Sequence, residues 1–387
     1  MNSGTVMNAE AQLTILLTLK DRAEFTRRWM AYAERIRFPF KVLIADGGTD
    51  ASVPAMLADR GHFPNVDYEY LRYPEDTDYR RYYAKIDDAL GRVRTPFVAM
   101  TDNDDFLVPE TLARSVRFLA SNPDYASCGG LCAQFWIVPD AADTAPGLLH
   151  GSRIDWKVGS LVRSIEASSA VERLERLPIS IADPLFYDVK RIEEARRQFQ
   201  LIRRLEFSDL FLMEILVHYL TVISGKTKRL RQLHLVRQHN APGSSGVEHQ
   251  KRFGDWMGRM LVESWSGDFA KFLDAASEAL AAVDGMPAAE ARDGIVEVYR
   301  RHVAPGLLSD LLGEDSVTLP MLTVLPAVRR LVGMPENSLL KRTLRRLYRR
   351  LRWISLDAVL GTEIFSRATV DDRDFRTIRE FLASGRP

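Results

Sequence analysis

The sequence predicts an α/β fold: a mostly parallel sheet with helices on both faces, followed by a helical C-terminal domain. Three observations predict it. Short apolar runs of strand length alternate with segments of helical spacing from residue 13 to 120. Three of those runs end in aspartates, at Asp21, at Asp46 and at the cluster Asp102, Asp104 and Asp105, and the carboxyl ends of strands are where such sheets bind ligands. From 251 to 387 the spacing is helical almost throughout.

Each element follows from its pattern. Residues 13–19 are a strand candidate. Residues 24–37 repeat apolar side chains at helical spacing, with Phe25, Trp29, Tyr32, Ala33 and Ile36 on one face. A second strand over 41–45 is stopped by Asp46-Gly47-Gly48. A helix over 51–60, a strand over 66–71, a helix over 78–90, a strand over 97–100 and a helix over 109–119 complete the alternation. From 121 to 200 the pattern loosens around the turn clusters Asn122-Pro123 and Ala145-Pro146-Gly147. A helix over 207–224 closes at Gly225, and a short strand is expected over 233–236. The Gly/Ser-rich loop at 238–246 reads as mobile, able to close over a ligand or simply flexible. The change of pattern places a domain boundary near 250, dividing 1–250 from 251–387.

Bulk properties remove several classes. A net charge of +1 over 387 residues gives no electrostatic basis for binding nucleic acid. Cys128 and Cys132 make no disulfide framework and fit no four-ligand zinc spacing, so they read as ordinary thiols of a reducing cytoplasm. No apolar stretch approaches the roughly 20 residues that span a bilayer. Residues 1–10 lack the basic and apolar regions of a secretion signal. The expected location is cytoplasmic. A dinucleotide-binding Gly-x-Gly-x-x-Gly is missing, and no glycine-rich phosphate loop follows the first strand.

The most informative stretch is Val98-Ala-Met-Thr-Asp102-Asn103-Asp104-Asp105-Phe106. A buried strand cannot end in unpaired buried carboxylates without a large cost. The acids are therefore expected at the strand's mouth, in water or on a metal. Carboxylates at i and i+2 there can hold a hard divalent cation that also carries a diphosphate. The alternative is a solvated acidic start to the next helix, flanked by Asp105 and Glu110. Asp46, at a sharp turn over Gly47 and Gly48, can accept from a base N–H or a ribose hydroxyl, or can cap its own turn. Asp21 and Arg22 follow the first strand; a helix N-cap and a solvated arginine are their plain reading. Lys85 is a diphosphate counter-charge or a surface lysine.

Taken in order, residues 13–22, Val42-Leu-Ile-Ala-Asp46-Gly-Gly-Thr-Asp50-Ala-Ser52 and Thr95-Pro-Phe-Val-Ala-Met-Thr-Asp102-Asn-Asp-Asp105 resemble the GT-A-fold glycosyltransferases, in particular the large family-2-like group. The resemblance covers roughly residues 13 to 240. It implies a Rossmann-like GT-A sheet and transfer of a sugar from a nucleotide-sugar donor to a hydroxyl acceptor, such as a surface glycan or glycolipid. It also implies Mn²⁺ or Mg²⁺ dependence and inversion. On the matching positions Asp46 would contact the nucleotide base, with Asp21 and Arg22 beside the nucleotide. Lys85 would stand near the diphosphate, although the family has an Ala-Arg-Asn-type segment there. Asp102 would face the ribose or a metal-bound water, Asn103 would stand beside the nucleotide, and Asp102 and Asp104 would hold the cation. His239, better placed than His234, would be a further metal ligand or a surface histidine. The segment Glu206-Phe-Ser208-Asp209, ahead of Gly225-Lys226, is similar to the family's Glu-Asp segment. It makes Asp209 the general base, with Ser208 in place of the first acid and able to cap the helix, and Glu206 the fallback. Glu214 reads as structural. The alternative function is a degenerate GT-A domain that binds a nucleotide or acts as a scaffold. Finally, Leu340, Leu344, Leu347 and Leu351 line one face of an arginine-rich helix over 340–353. That helix could lie on an anionic membrane surface or pack within the C-terminal domain.

Overall fold

The computed structural model describes residues 9–138, 148–151, 154–158, 163–177, 184–239, 241–312 and 373–384. Among these residues nine strands join in one sheet: β1 (Leu13–Leu19), β2 (Lys41–Asp46), β3 (Tyr68–Arg72), β4 (Phe97–Asp102), β5 (Asp105–Leu107), β6 (Tyr125–Ile137), β7 (Ile154–Val158), β8 (Val189–Arg191) and β9 (Lys226–Gln238). Their order is β3-β2-β1-β4-β8-β6-β9-β5, with β7 on β6. The four strands expected from the alternation are parallel to one another, and beyond β4 the sheet becomes mixed. The register puts Leu19 opposite Asp46 and Thr18 opposite Asp102. Both acidic strand ends therefore flank the end of β1.

Every residue of β1 is buried, as a strand covered on both faces must be. On one face Ile15, Leu17, Val42, Ile44, Phe97 and Ala99 pack beneath α1 (Ala23–Ile36), α2 (Ser52–Ala58) and α4 (Pro109–Ser121). On the other, Leu16, Leu43, Ala45, Val98 and Met100 meet α3 (Tyr79–Arg92), α5 (Ala170–Glu175), α6 (Ile192–Leu205) and α7 (Leu210–Ser224). The alternation of partners is the period of two that a strand imposes.

The looser stretch from 121 to 200 holds more structure than its pattern suggests. β6 runs for 13 residues, and α6 follows β8 without a linker. The strand expected over 233–236 is the end of β9, which also spans 13 residues. Both cysteines are buried thiols of β6.

After residue 250 the described residues are mostly helical, with α8 (Ser245–Phe253), α9 (Trp256–Met260), α10 (Trp265–Asp284), α11 (Ala288–Leu312) and α12 (Arg373–Ser384). Phe272, Ala276, Leu280, Ile295 and Tyr299 belong to the same apolar cluster as α7 and the sheet. The change at 250 is thus one of architecture, with the core continuous across it. α12 returns to the sheet: Ile378, Phe381 and Leu382 pack with Tyr32, Phe106 and Phe135, and Leu382 O accepts from Gly151 N at 3.1 Å. The basic segment 340–353 lies outside the described residues. Among those described, no helix is long and apolar enough to cross a membrane.

Candidate active site

β4 delivers its acids to the carboxyl edge of the sheet, and the turn into β5 folds them together. Carboxylate oxygens of Asp102, Asp104 and Asp105 lie within 4.8 Å of one another. They are not left to water, as unpaired acids would have to be. Asp102 Oδ1 accepts from Thr18 Oγ1 at 2.9 Å and Oδ2 from Tyr187 OH at 3.0 Å. Asp104 Oδ2 pairs with Arg22 Nη2 at 3.0 Å, and its carbonyl accepts from Arg28 at 3.1 Å. Asp105, only 1% exposed, pairs with Arg237 Nε at 3.0 Å. Asp105 therefore starts a buried strand, not a solvated helix. Asn103 is buried, its amide donating to Thr26 Oγ1 at 3.1 Å, which turns it toward α1.

The crowding has an electrostatic signature. Burial, then Asp104, pushes the Asp102 carboxyl up from its ordinary value. Burial also raises Asp105, against the pull of Arg237, with Asp104 and Asp102 adding to the rise. Three acids sharing one site favour added positive charge. An all-oxygen donor set within this radius suits Mg²⁺ or Mn²⁺, so the residues fit such an ion.

Two turns flank this cluster. Asp46 is fully buried: Oδ1 accepts from Gly48 N at 2.8 Å, and Oδ2 from Tyr70 OH at 2.7 Å and from Arg72. Its turn-capping reading is thus realised. Gly48 is required, because a Cβ there would run into the Asp21 backbone. Asp21 caps no helix. Its Oδ1 accepts from Thr49 N and from Asp50 N, the latter at 2.9 Å, tying β1's end to the β2 turn. Partial burial raises its carboxyl, but these amide bonds win and hold it below the usual range. Asp21 and Arg22 both adopt left-handed backbone, at φ 55° and 56°. Each costs about 1–3 kcal/mol, offset here by their side-chain ties.

Lys85 is not the surface lysine of the plain reading. It is 2% exposed, pairs with Asp76 and donates to Leu19 O at 2.8 Å. Its charge sits under the Asp46–Gly47 turn and is spent on Asp76. His234 is a core residue, fully buried, with Nε2 at 3.0 Å from Tyr187 O. His239 is exposed and stacks on Trp136 at 4.8 Å. It is no member of the acid group.

The helix expected to be capped by Ser208 is capped by Asp209, whose Oδ1 accepts from Leu212 N at 2.9 Å. Ser208 instead donates to Asp268. Asp209 is clamped by Arg259 at 2.8 and 3.0 Å, with His249 Nε2 at 3.6 Å. Its carboxylate also lines a small cavity with His249, Phe253, Arg259 and Trp265. Glu206 caps the far end of α6, exposed and left-handed at φ 52°. Glu214, one turn on from Phe211, shares the α7 face that meets His249. It makes no hydrogen bond or ion pair among the described residues, and it shares its field with Asp102, Asp209, Arg237 and Arg259. Burial, first, pushes its carboxyl up to about 7, opposed by Arg237 and aided by Asp102.

Despite burial, the His249 imidazole nearby and the bonds from Arg259 bring Asp209 down to about 2 from 3.8. A carboxylate depressed on folding stabilises above its unfolded value, and that contribution is lost as pH falls through the folded value. About 2 kcal/mol is at stake. The stability gap between the native protein and Asp209→Asn, from urea unfolding, should be largest above pH 5 and shrink toward pH 2. A gap constant across that range would remove Asp209 as the acid-sensitive group.

Arg22 and the acids were legible before the fold. Arg28, Tyr187, Arg237 and Arg259 were not, since none stands in a motif; only their charge or ring in an otherwise buried pattern could have marked them.

No family model matches the sequence, and no curated protein does. Among solved structures, S. aureus TarS 1–349 in complex with UDP is 13% identical, with a TM-score of 0.46 over 96% of this chain and 90% of that one. A longer S. aureus TarS is 12% identical, with a TM-score of 0.43 over 95% of this chain and 55% of that one. The chain thus spans about half the length of that protein. A mannosyltransferase from Pyrobaculum calidifontis, in complex with GDP-Man and Mn²⁺, is 13% identical, with a TM-score of 0.37 over 91% of this chain and 88% of that one. Likenesses this distant decide nothing about the site, whose reading rests on its residues.

Proposed function

We propose that this chain transfers a sugar from a nucleotide-sugar donor to a hydroxyl of a glycan or glycolipid acceptor, with inversion. The observation that carries the reading is the gathering of Asp102, Asp104 and Asp105 at the end of β4, beside the tied turns of Asp21 and Asp46. In this reading Asp102 and Asp104 hold Mn²⁺ or Mg²⁺, and Asp46, Asp21 and Arg22 border the nucleotide. When bound, such an ion stabilises the charge of the departing nucleoside diphosphate. The chain's own part is to orient the donor against the sheet edge and to accept the acceptor's proton. We assign that role to Asp209, which lines a cavity with Phe253 and Trp265.

One observation favours a second reading of the base. Both Asp209 oxygens are engaged by Arg259, whereas Glu214 has no ion pair among the described residues and burial pushes its carboxyl up to about 7. The same clamp is what a binding domain without transfer would tolerate. Titration calorimetry with UDP and GDP, the nucleotides named in the similar complexes, tests the donor reading. Binding should strengthen at least tenfold on adding Mn²⁺. Equal affinity with and without Mn²⁺, or no binding of either, would contradict it.

A further inference from the structure

Arg22 occupies one oxygen of the Asp104 carboxylate. Its Nη2 is 3.0 Å from Asp104 Oδ2, and its guanidinium lies over the Phe25 ring at 4.2 Å. The backbone of Arg22 is fixed: its carbonyl accepts from Phe25 N and Thr26 N, and the preceding Asp21 is pinned to Thr49 and Asp50. The side chain is less committed. It keeps 17% of its surface exposed, and its Nε is buried without a hydrogen-bond partner. A donor left unsatisfied beside a bound carboxylate has another acceptor still to meet. A Cβ added at Gly243, in the glycine-rich loop, would meet the Arg22 Cδ at 3.8 Å, so that loop borders the side chain.

We infer that Arg22 is a resident counter-ion for Asp104, which an incoming divalent cation displaces and which then pairs with the donor's diphosphate. This rests on the nucleotide-sugar reading above. It adds that cation and nucleotide bind interdependently, because one guanidinium must leave Asp104 before the cation enters and gains a new partner only when the diphosphate arrives. An arginine fork is suited to both roles, since it matches carboxylate and phosphate oxygens alike.

Free Mn²⁺, followed by electron paramagnetic resonance during titration of the full chain, tests this without any transfer assay. The native protein should bind Mn²⁺ alone weakly and at least tenfold tighter with UDP or GDP present. Arg22→Gln should bind Mn²⁺ alone at least tenfold tighter than native, and bind the nucleotide at saturating Mn²⁺ at least tenfold more weakly. Arg22→Lys, whose shorter head cannot fork, should shift in the same directions and guards against a misfolded glutamine variant. Unchanged or weaker binding of Mn²⁺ alone in both variants would overturn the inference. Asp104→Asn separates the two levels: if it loses Mn²⁺ while the Arg22 variants match native, only the counter-ion role fails. If native and Asp104→Asn both bind no Mn²⁺ with either nucleotide, the metal reading itself fails, and this inference with it.

Discussion

Asp104→Ala is expected to abolish metal-dependent binding of the nucleoside diphosphate, a loss of roughly a hundredfold or more in affinity, since removing even a residue that only supports a ligand costs 10–100-fold. The fold should survive. The Asp104 carbonyl, not its side chain, is what Arg28 holds, so the turn into β5 keeps its anchor. The stranded Arg22 already has 17% of its side chain in water and can rehydrate, which limits the stability loss to about 1–2 kcal/mol. Calorimetry with UDP or GDP and Mn²⁺, alongside thermal unfolding, reads both quantities. Nucleotide affinity equal to native in a folded variant would remove Asp104 from the site.

The parts of this molecule that could be read from sequence are those decided locally. β1, β2 and β4 are apolar runs closed by acids, and their burial follows from composition alone. β6 escaped because Gly129 and Gly130 interrupt its strand pattern. Their reason lies far away: a Cβ at Gly129 would strike the Asp188–Arg229 ion pair, and one at Gly130 the Gln232 carbonyl. α6 escaped because charge dominates its surface and β8 runs into it without a turn. In the site, the acids of 102–105 were plain, but what keeps them buried was not. Arg22 comes from 82 residues away and Arg237 from 132. The second of these depends on the antiparallel pairing of β5 with β9, which puts Asp105 opposite Arg237. No spacing rule conveys that. Likewise Glu214 reads as a structural helix residue until the fold brings α7 close enough for Asp102, at the end of β4, to raise its carboxyl.

That proximity makes the proton acceptor the sharpest question. If Asp209 is the base, Asp209→Asn should keep donor binding and lose transfer by about a hundredfold to ten-thousandfold, because an amide cannot take the proton. Glu214→Gln should then be nearly as active as native. If Glu214 is the base, the losses exchange. The pH profile separates the two independently of the variants. Asp209, held near 2 by Arg259 and His249, is ionised at every working pH, so transfer would show no acidic limb above pH 4. Glu214, with burial lifting it to about 7, must lose its proton to act. Transfer would then rise tenfold per pH unit below 7 and level off above it. Arg259 adds a third reading. Arg259→Met frees the Asp209 oxygens and raises its basicity, so a base at Asp209 would acquire a pH dependence that the native protein lacks, whereas a base at Glu214 would keep its limb near 7. Near-native transfer in both Asp209→Asn and Glu214→Gln would place the proton elsewhere. The exposed Glu206, at the far end of α6, would then be the next carboxylate to replace.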